Sequence, residues 1–255
     1  GPEDWHDLKL NKTNQCGGNR QSPINIKTSE VEEEDSYRRL KIAFDNTRGL
    51  VTGTLENNGH SPELIIADSN GASLTGGPLG NNKFELIQFH VHFGCVNERG
   101  SEHKLNGKQL SGELHMVFGH DEEPRVVGNK IFGKLANLMH HIIKPEDTYP
   151  VTKEHGIYLK DLIPKKCSIK KGNGAKRLTL KCYFTYRGSL TTPPCTQTIR
   201  WIVLKDYILA STSQLEKFRK LEAKYYGPHM CDNFRPVQKL NDRDVYSVSK
   251  KNNDK

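Results

Sequence analysis

One heptapeptide limits what this chain can become: Gln88-Phe89-His90-Val91-His92-Phe93-Gly94. Aromatic and β-branched residues alternate with polar ones, the pattern of a strand, in which residues two apart point to the same face. Gln88, His90 and His92 therefore share a face. The stretch from Gly112 to Phe118 keeps the same rhythm and puts Glu113 and His115 on one face of a second strand. If the two strands are neighbours in a sheet, three imidazoles converge on a point.

Three neutral histidines with no cysteine or carboxylate among them match a catalytic zinc site, which keeps its fourth tetrahedral position open for water. Gln88 and Glu113 are each placed to accept the spare ring N–H of a histidine, fixing tautomer and orientation as metal-bound imidazoles require. An isolated His-x-His on a strand is a common polar surface feature. Glu-x-His on a second strand tips the reading to a metal, because buried polar groups need partners and a metal supplies one. The all-imidazole set favours zinc, while ligand type alone leaves iron, manganese and copper open.

The 255 residues suit one large all-β domain, and no stretch reads as a linker between two cores. Nothing approaches the roughly 18 apolar residues that a membrane span needs, and no signal peptide is legible. The net charge of +8 is unevenly spread. Lys165, Lys166, Lys170, Lys171, Lys176, Arg177 and Lys181 form a basic block, and Glu30, Glu32, Glu33, Glu34 and Asp35 an acidic one. Both read first as solvated loops. A loop that binds polyanions or mineral surfaces is the sharper alternative for the basic block. Nucleic-acid binding is disfavoured, because no aromatics interleave the block before Tyr183.

Six cysteines suggest disulfides but leave the pairing open. Cys167 and Cys182 bracket the basic block, so a bridge between them would close it into a stapled loop. Asn11-Lys12-Thr13 is a glycosylation sequon, and with the cysteines it points to a secreted or extracellular protein. Strands are expected over 50–56, 63–67, 84–93, 113–118, 178–186 and 198–204. Two amphipathic helices are expected. Leu135, Leu138, Met139 and Ile142 mark one, and Leu215, Phe218, Leu221 and Tyr225 the other, with Ser213 and Glu216 as its capping box.

Taken together, Gln88 to Gly94, Ser101-Glu102-His103, Glu113-Leu114-His115, Gly188-Ser189-Leu190-Thr191-Thr192-Pro193-Pro194 and Asn233-Phe234-Arg235-Pro236 resemble the α-class carbonic anhydrases. The likeness runs from about Trp5 to Val245, with Gln21 to Ile26 and Asn57-Asn58-Gly59-His60 in order between. It implies a mostly β (α+β) single domain, residues 1–246. A large, mainly antiparallel, twisted central sheet, short peripheral helices and a conical active-site cavity belong to that expectation. A basic insertion would lie at 165–182 and a disordered tail at 247–255.

The resemblance also assigns roles. Zinc would be held by His90, His92 and His115, with Gln88, Glu113 and the Asn233 carbonyl as their respective acceptors for His90, His115 and His92. Thr191 would take a hydrogen bond from zinc-bound hydroxide and pass one to Glu102, while Thr192 lines the bicarbonate position and Val117 and Leu190 wall the CO2. The implied reaction is attack of that hydroxide on CO2, giving bicarbonate and a proton that His60 shuttles to buffer. The implied partner is thus a small molecule.

Cys16 and Cys195 resemble the pair that extracellular members bridge, anchoring the loop of Thr191 and Thr192. Cys167 and Cys182 would staple an insertion of roughly a dozen residues, leaving Cys95 and Cys231 as a third pair. The chain departs from the family at Leu110 and Phe93, where aromatic residues and Trp are usual. It departs again at Glu63, a carboxylate on the cavity wall near His60, and in a shortened segment from Gly119 to Pro164. Three other readings compete. A metal-free binding relative would have lost a zinc histidine; a cupin-type iron or manganese oxygenase gives Ser189 to Pro194 no purpose; a mineral-associated role for the basic loop is compatible with catalysis.

Overall fold

The computed structural model describes residues 2–10, 13–45, 49–67, 71–120, 123–128, 132–164, 168–170, 177–224 and 228–249. The first strands are β1 (Asn25–Ile26), β2 (Glu32–Glu33), β3 (Lys41–Phe44), β4 (Gly53–Asn57), β5 (Pro62–Ile66) and β6 (Ala72–Thr75). The middle of the chain contributes β7 (Lys83–Phe93), β8 (Lys104–Leu105), β9 (Gly112–His120), β10 (Glu123–Gly128) and β11 (Thr148–Val151). The last are β12 (Ser168–Lys170), β13 (Arg177–Leu180), β14 (Tyr183–Gly188), β15 (Ile199–Leu204) and β16 (Tyr246–Val248).

Fourteen of these form one sheet in the order β12-β13-β3-β6-β7-β9-β10-β15-β14-β16-β2, with β5, β4 and β11 branching from β7. Only β10–β15 and β16–β2 pair in parallel within it. The helices are short and lie outside the sheet: α1 (Phe132–Ala136), α2 (Thr212–Phe218) and several 3-10 turns. This is the mostly β, mainly antiparallel single domain that the resemblance implied.

Burial follows chemistry. A large apolar cluster takes Phe84, Leu86, Phe89, Val91 and Phe93 from β7 and Leu114, Met116 and Phe118 from β9. A smaller one gathers Val117, Tyr186, Ile199 and Trp201 on the other side of the site. The metal-bearing strands are thus clamped between two cores.

Several expectations need correction. The stretch 178–186 is two strands, β13 and β14, which lie far apart in the sheet. Its apolar pattern runs on without a break because Tyr183, Phe184, Thr185 and Tyr186 are all buried, erasing the alternation that would mark an end. The strand expected from Leu50 begins at Gly53, Leu50 making only an isolated bridge to Tyr158. Leu135, Leu138, Met139 and Ile142 are buried as expected, but α1 ends at Ala136 and a 3-10 turn (Met139–His141) follows.

The capping box of α2 is Ser211 with Gln214, two residues earlier than Ser213 with Glu216. The Ser211 hydroxyl accepts the Gln214 N–H, and the Gln214 side chain accepts the Ser211 N–H. The helix stops at Phe218; Tyr225, part of the expected stripe, lies outside the described residues. Ser247 and Val248, assigned to a tail, instead pair with β14 through β16. Of the basic block, Lys165, Lys166, Lys171 and Lys176 lie outside the described residues, as do Asn11 and Cys167.

Candidate metal centre

A bulge decides which side chains of β7 reach the site. Register with β9 slips by one residue between Leu86 and Gln88. Before the slip, the even residues Phe84 and Leu86 face the large core; after it, the odd residues Phe89, Val91 and Phe93 do. A one-residue slip exchanges the two faces of a strand. Ile87 takes up the extra residue at 46% exposure, and Gln88, His90 and His92 turn together away from the core. In β9, Leu114, Met116 and Phe118 fill the same core, leaving Glu113, His115 and Val117 on the site side. His90 then lies directly opposite His115, and His92 opposite Glu113.

Each imidazole is held through its outer nitrogen. His90 Nδ1 lies 3.0 Å from Gln88 Oε1, His115 Nε2 2.9 Å from Glu113 Oε1, and His92 Nδ1 2.7 Å from the Asn233 carbonyl. The inner nitrogens face one another, with His90 Nε2 and His115 Nδ1 3.1 Å apart. One ring nitrogen from each histidine lies within 4.8 Å of the others. His92 Nε2 is buried with no hydrogen-bond partner among the described residues. An orphaned buried nitrogen in a trio of oriented imidazoles fits a zinc ion, for which all-imidazole shells suffice.

Electrostatics agrees. Burial is the largest influence on all three rings and pushes each below the ordinary imidazole range. For His90 the charges of His115 and His92 add to burial; for His92 the Asn233 carbonyl opposes it, and for His115 the Glu113 carboxylate does. Neutral rings keep their lone pairs for a metal. Burial pushes Glu113 up, but His103 and His115 outweigh it and hold the carboxyl well below its usual range. Glu102 is the converse, pushed up to about 7 by burial.

The structure brings Thr191 beside Glu102, and a side-chain hydrogen bond from Thr191 is the last of the influences on that carboxyl, opposing the rise caused by burial. Glu102 Oε1 accepts the Arg235 N–H at 2.9 Å, and Oε2 is buried 3.5 Å from His92 Nε2, with no close hydrogen bond of its own among the described residues. Val117 and Leu190 meet in the smaller apolar cluster. The Thr192 carbonyl accepts the Cys195 N–H at 2.9 Å, closing the turn of that loop. His60 stands on a turn whose N–H groups, those of His60 and Ser61, both bond to Asn58 Oδ1. Burial and then the nearby His92 push His60 down to about 4. Glu63 lies opposite His90 on β5 and accepts a hydrogen bond from Asn58 Nδ2 at 2.8 Å, so this carboxylate is tied to the turn that carries His60.

A family profile described as eukaryotic-type carbonic anhydrase matches residues 1–249. The chain belongs to that family. Carbonic anhydrase 7 of Mus musculus is 35% identical over 254 residues, covering 96% of this chain and 93% of its own. Carbonic anhydrase 7 of Homo sapiens is 34% identical over 258 residues with the same coverage. A putative carbonic anhydrase 3 of Caenorhabditis elegans is 32% identical over 262 residues, 92% of this chain and 94% of its own. The chain is therefore a carbonic anhydrase, the family's cofactor is zinc, and the family's reaction is CO2 hydration.

Three parts of this carbonic anhydrase site escaped sequence reasoning. Glu113 serves two histidines: besides His115 it accepts the His103 N–H at 2.8 Å and meets His103 Nδ1 at 2.7 Å. His103 Nε2 continues to the Tyr186 hydroxyl at 2.7 Å, which donates to Ser22 Oγ at 2.9 Å. Arg235 spans the same region, its guanidinium donating to Gln21 Oε1 and the Ser22 carbonyl at 2.7 and 2.9 Å. His103 and Arg235 both sat in quoted motifs, and that was the available signal. Trp201 packs edge-on against His103 and His115, at 4.7 and 4.8 Å between ring centres.

Two disulfides frame the centre. Cys16–Cys195 ties the N-terminal segment to the loop of Thr191 and Thr192, as the resemblance implied. Cys95–Cys231 joins the end of β7 to the residue two before Asn233. Cys182 is also disulfide-bonded. No helix among the described residues is long and apolar enough to cross a membrane.

Proposed function

We propose that this chain hydrates CO2 reversibly to bicarbonate and a proton, with zinc held by His90, His92 and His115. The observation that carries the reading is the set of three oriented, neutral imidazoles with the buried, unpartnered Nε2 of His92. Bound zinc supplies a Lewis acid that makes water nucleophilic at neutral pH. Val117 and Leu190 offer CO2 an apolar wall, and Thr192 lines the bicarbonate position. Glu102 and Thr191 orient the attacking group by hydrogen bonding, with the Arg235 N–H keeping Glu102 in place.

His60 carries the released proton outward. Its carbonyl is fixed by Asn233 Nδ2 at 2.9 Å, so the residue that steadies His92 also steadies the shuttle. The catalytic domain runs through β16, within the 1–249 span of the family profile, with an insertion at 165–182. Secretion is supported by the disulfides, which persist in oxidising compartments, and by the Asn11 sequon.

Stopped-flow CO2 hydration tests the reading. Activity is expected to vanish when dipicolinate strips zinc and to return when zinc is restored. A zinc-loaded, folded and inactive protein would overturn it. His60→Ala should slow turnover in dilute buffer, with concentrated imidazole restoring it; unchanged turnover in dilute buffer would remove His60 from the proton path.

A further inference from the structure

A cavity lies against β8, β9 and β15, lined by residues of each. It encloses about 650 Å³, within the size range of sites for drug-sized ligands. Leu114, Phe184, Val203 and Leu215 supply apolar wall, and His103 and Glu113 also line it. Its mouth is unusual. Leu110, Tyr207 and Leu209 are 43%, 51% and 94% exposed, and all three border this one cavity. Large apolar side chains scattered singly need no explanation, but several at one rim mark a binding surface.

Charge selects the occupant. Lys104, Lys108, Lys205 and Asp206 line the cavity along with Glu113. Glu113 is consumed by His103 and His115, and Lys205 Nζ donates to the Ser247 and Ser249 hydroxyls at 2.7 Å each. Asp206 accepts the Tyr207 N–H at 3.1 Å. Lys104 and Lys108 alone have no side-chain partner among the described residues. They flank a tight turn in which Asn106 and Gly107 both have positive φ, 50° and 80°, and Leu105 and Lys108 exchange backbone hydrogen bonds at 2.9 and 3.0 Å. Asn106 Oδ1 accepts the Thr28 N–H and Asn25 Oδ1 the Gly107 N–H, each at 2.8 Å. The two free ammonium groups therefore stand on a pinned, pre-organised support.

We propose that this cavity binds an amphipathic organic anion, its aromatic or branched body against Leu114, Phe184 and Leu209 and its carboxylate or sulfonate on Lys104 and Lys108. A cation would meet two unneutralised lysines, and a fully polar anion would leave the apolar wall wet. None of His90, His92, His115, Thr191 and Thr192 lines it, although Glu113 is shared between the two sites.

Titration of the zinc-loaded full chain with 8-anilinonaphthalene-1-sulfonate, followed by fluorescence, tests this. One saturable site is expected, with 2-naphthoate displacing the probe and neutral 2-naphthalenemethanol competing about tenfold more weakly. Lys104→Glu with Lys108→Glu should raise the probe's Kd about tenfold or more. Lys9→Glu with Lys239→Glu, the same charge change elsewhere, should leave it within about twofold. Amide shift mapping on the unmutated protein should place the probe at residues 104–114 and 206–210. Equal effects of the two charge reversals, absence of saturation, or shifts gathered at His60, His90 and Thr191 would each overturn the proposal.

Discussion

His90 and His115 are steadied from within their own strands, whereas His92 is steadied from the far end of the chain. Gln88 and Glu113 sit two residues from the rings they serve, so forming the strand places ligand and partner together. His92 takes a carbonyl 141 residues away, and that carbonyl needs a scaffold. Asn233 Oδ1 accepts the Phe93 N–H at 2.7 Å, and its Nδ2 donates to Val91 O at 3.1 Å. Asp232 accepts hydrogen bonds from Arg99 Nε and Nη2 at 2.8 and 2.6 Å, and Cys231 is bonded to Cys95. A local partner comes with the secondary structure, while a remote one requires tertiary structure of its own.

Breaking the local side at its most connected point should have the largest effect. Glu113→Ala strands the His103 N–H and two ring nitrogens in a buried place. We expect a loss of about 3–5 kcal/mol, as for breaking a buried charged pair, and zinc affinity lower by roughly 10- to 100-fold. Urea unfolding and chelator competition would read the two. Breaking the remote side through Cys95→Ser with Cys231→Ser should cost about 2–5 kcal/mol, with a weaker zinc site because Asn233 loses its anchor. A variant as stable and as tightly zinc-bound as the parent would show that Asp232 and Asn233 hold themselves without the disulfide.

Glu102 sharpens the comparison, since its unpartnered oxygen faces His92 and not the other two rings as closely. Its folded pKa of about 7 lies above the ordinary 4.5, raised by burial. The folded chain therefore keeps a proton that the unfolded chain has released. That contribution to stability is complete below pH 4.5 and is lost as pH rises toward 7. Zinc-free parent protein should thus lose on the order of 3 kcal/mol relative to Glu102→Gln across that interval. Parallel stability curves for the two would place the Glu102 carboxyl outside the buried site.

The same local and remote division explains what could be read in advance. Alternation in Gln88 to Phe93 and Gly112 to Phe118 reveals the three ligands and two of their acceptors, because a strand's period of two is a local rule. The bulge at Ile87 escaped, although the parity switch from Leu86 to Phe89 was written in the residues, since two adjacent apolar side chains look like an ordinary buried run. Asn233 was legible only through resemblance, and the role of Arg235 not at all; no periodicity links residue 92 to residue 233. Pairing of Cys95 with Cys231 is equally non-local. The break between β13 and β14 was hidden because burial on both faces of Tyr183 to Tyr186 removes the pattern that marks a strand's end.

The smallest expected effect belongs to Gln88. Gln88→Ala removes a single neutral acceptor beside a half-buried ring, so stability should fall by only about 0.5–1.5 kcal/mol. Zinc affinity should drop by about tenfold, the low end for an outer partner of a metal-bound histidine. Gln88→Glu keeps an oxygen in reach of His90 Nδ1 and should retain most of the affinity, which separates loss of orientation from loss of packing. Chelator competition and thermal melts on both variants check this against the disulfide pair. If Gln88→Ala weakens zinc as much as removing Cys95 and Cys231 while leaving the melting curve in place, local orientation dominates the metal site and the remote scaffold serves mainly stability. If it does not, the scaffold at Asn233 is the more demanding half of the design, because His92 alone has no neighbour on its own strand to replace it.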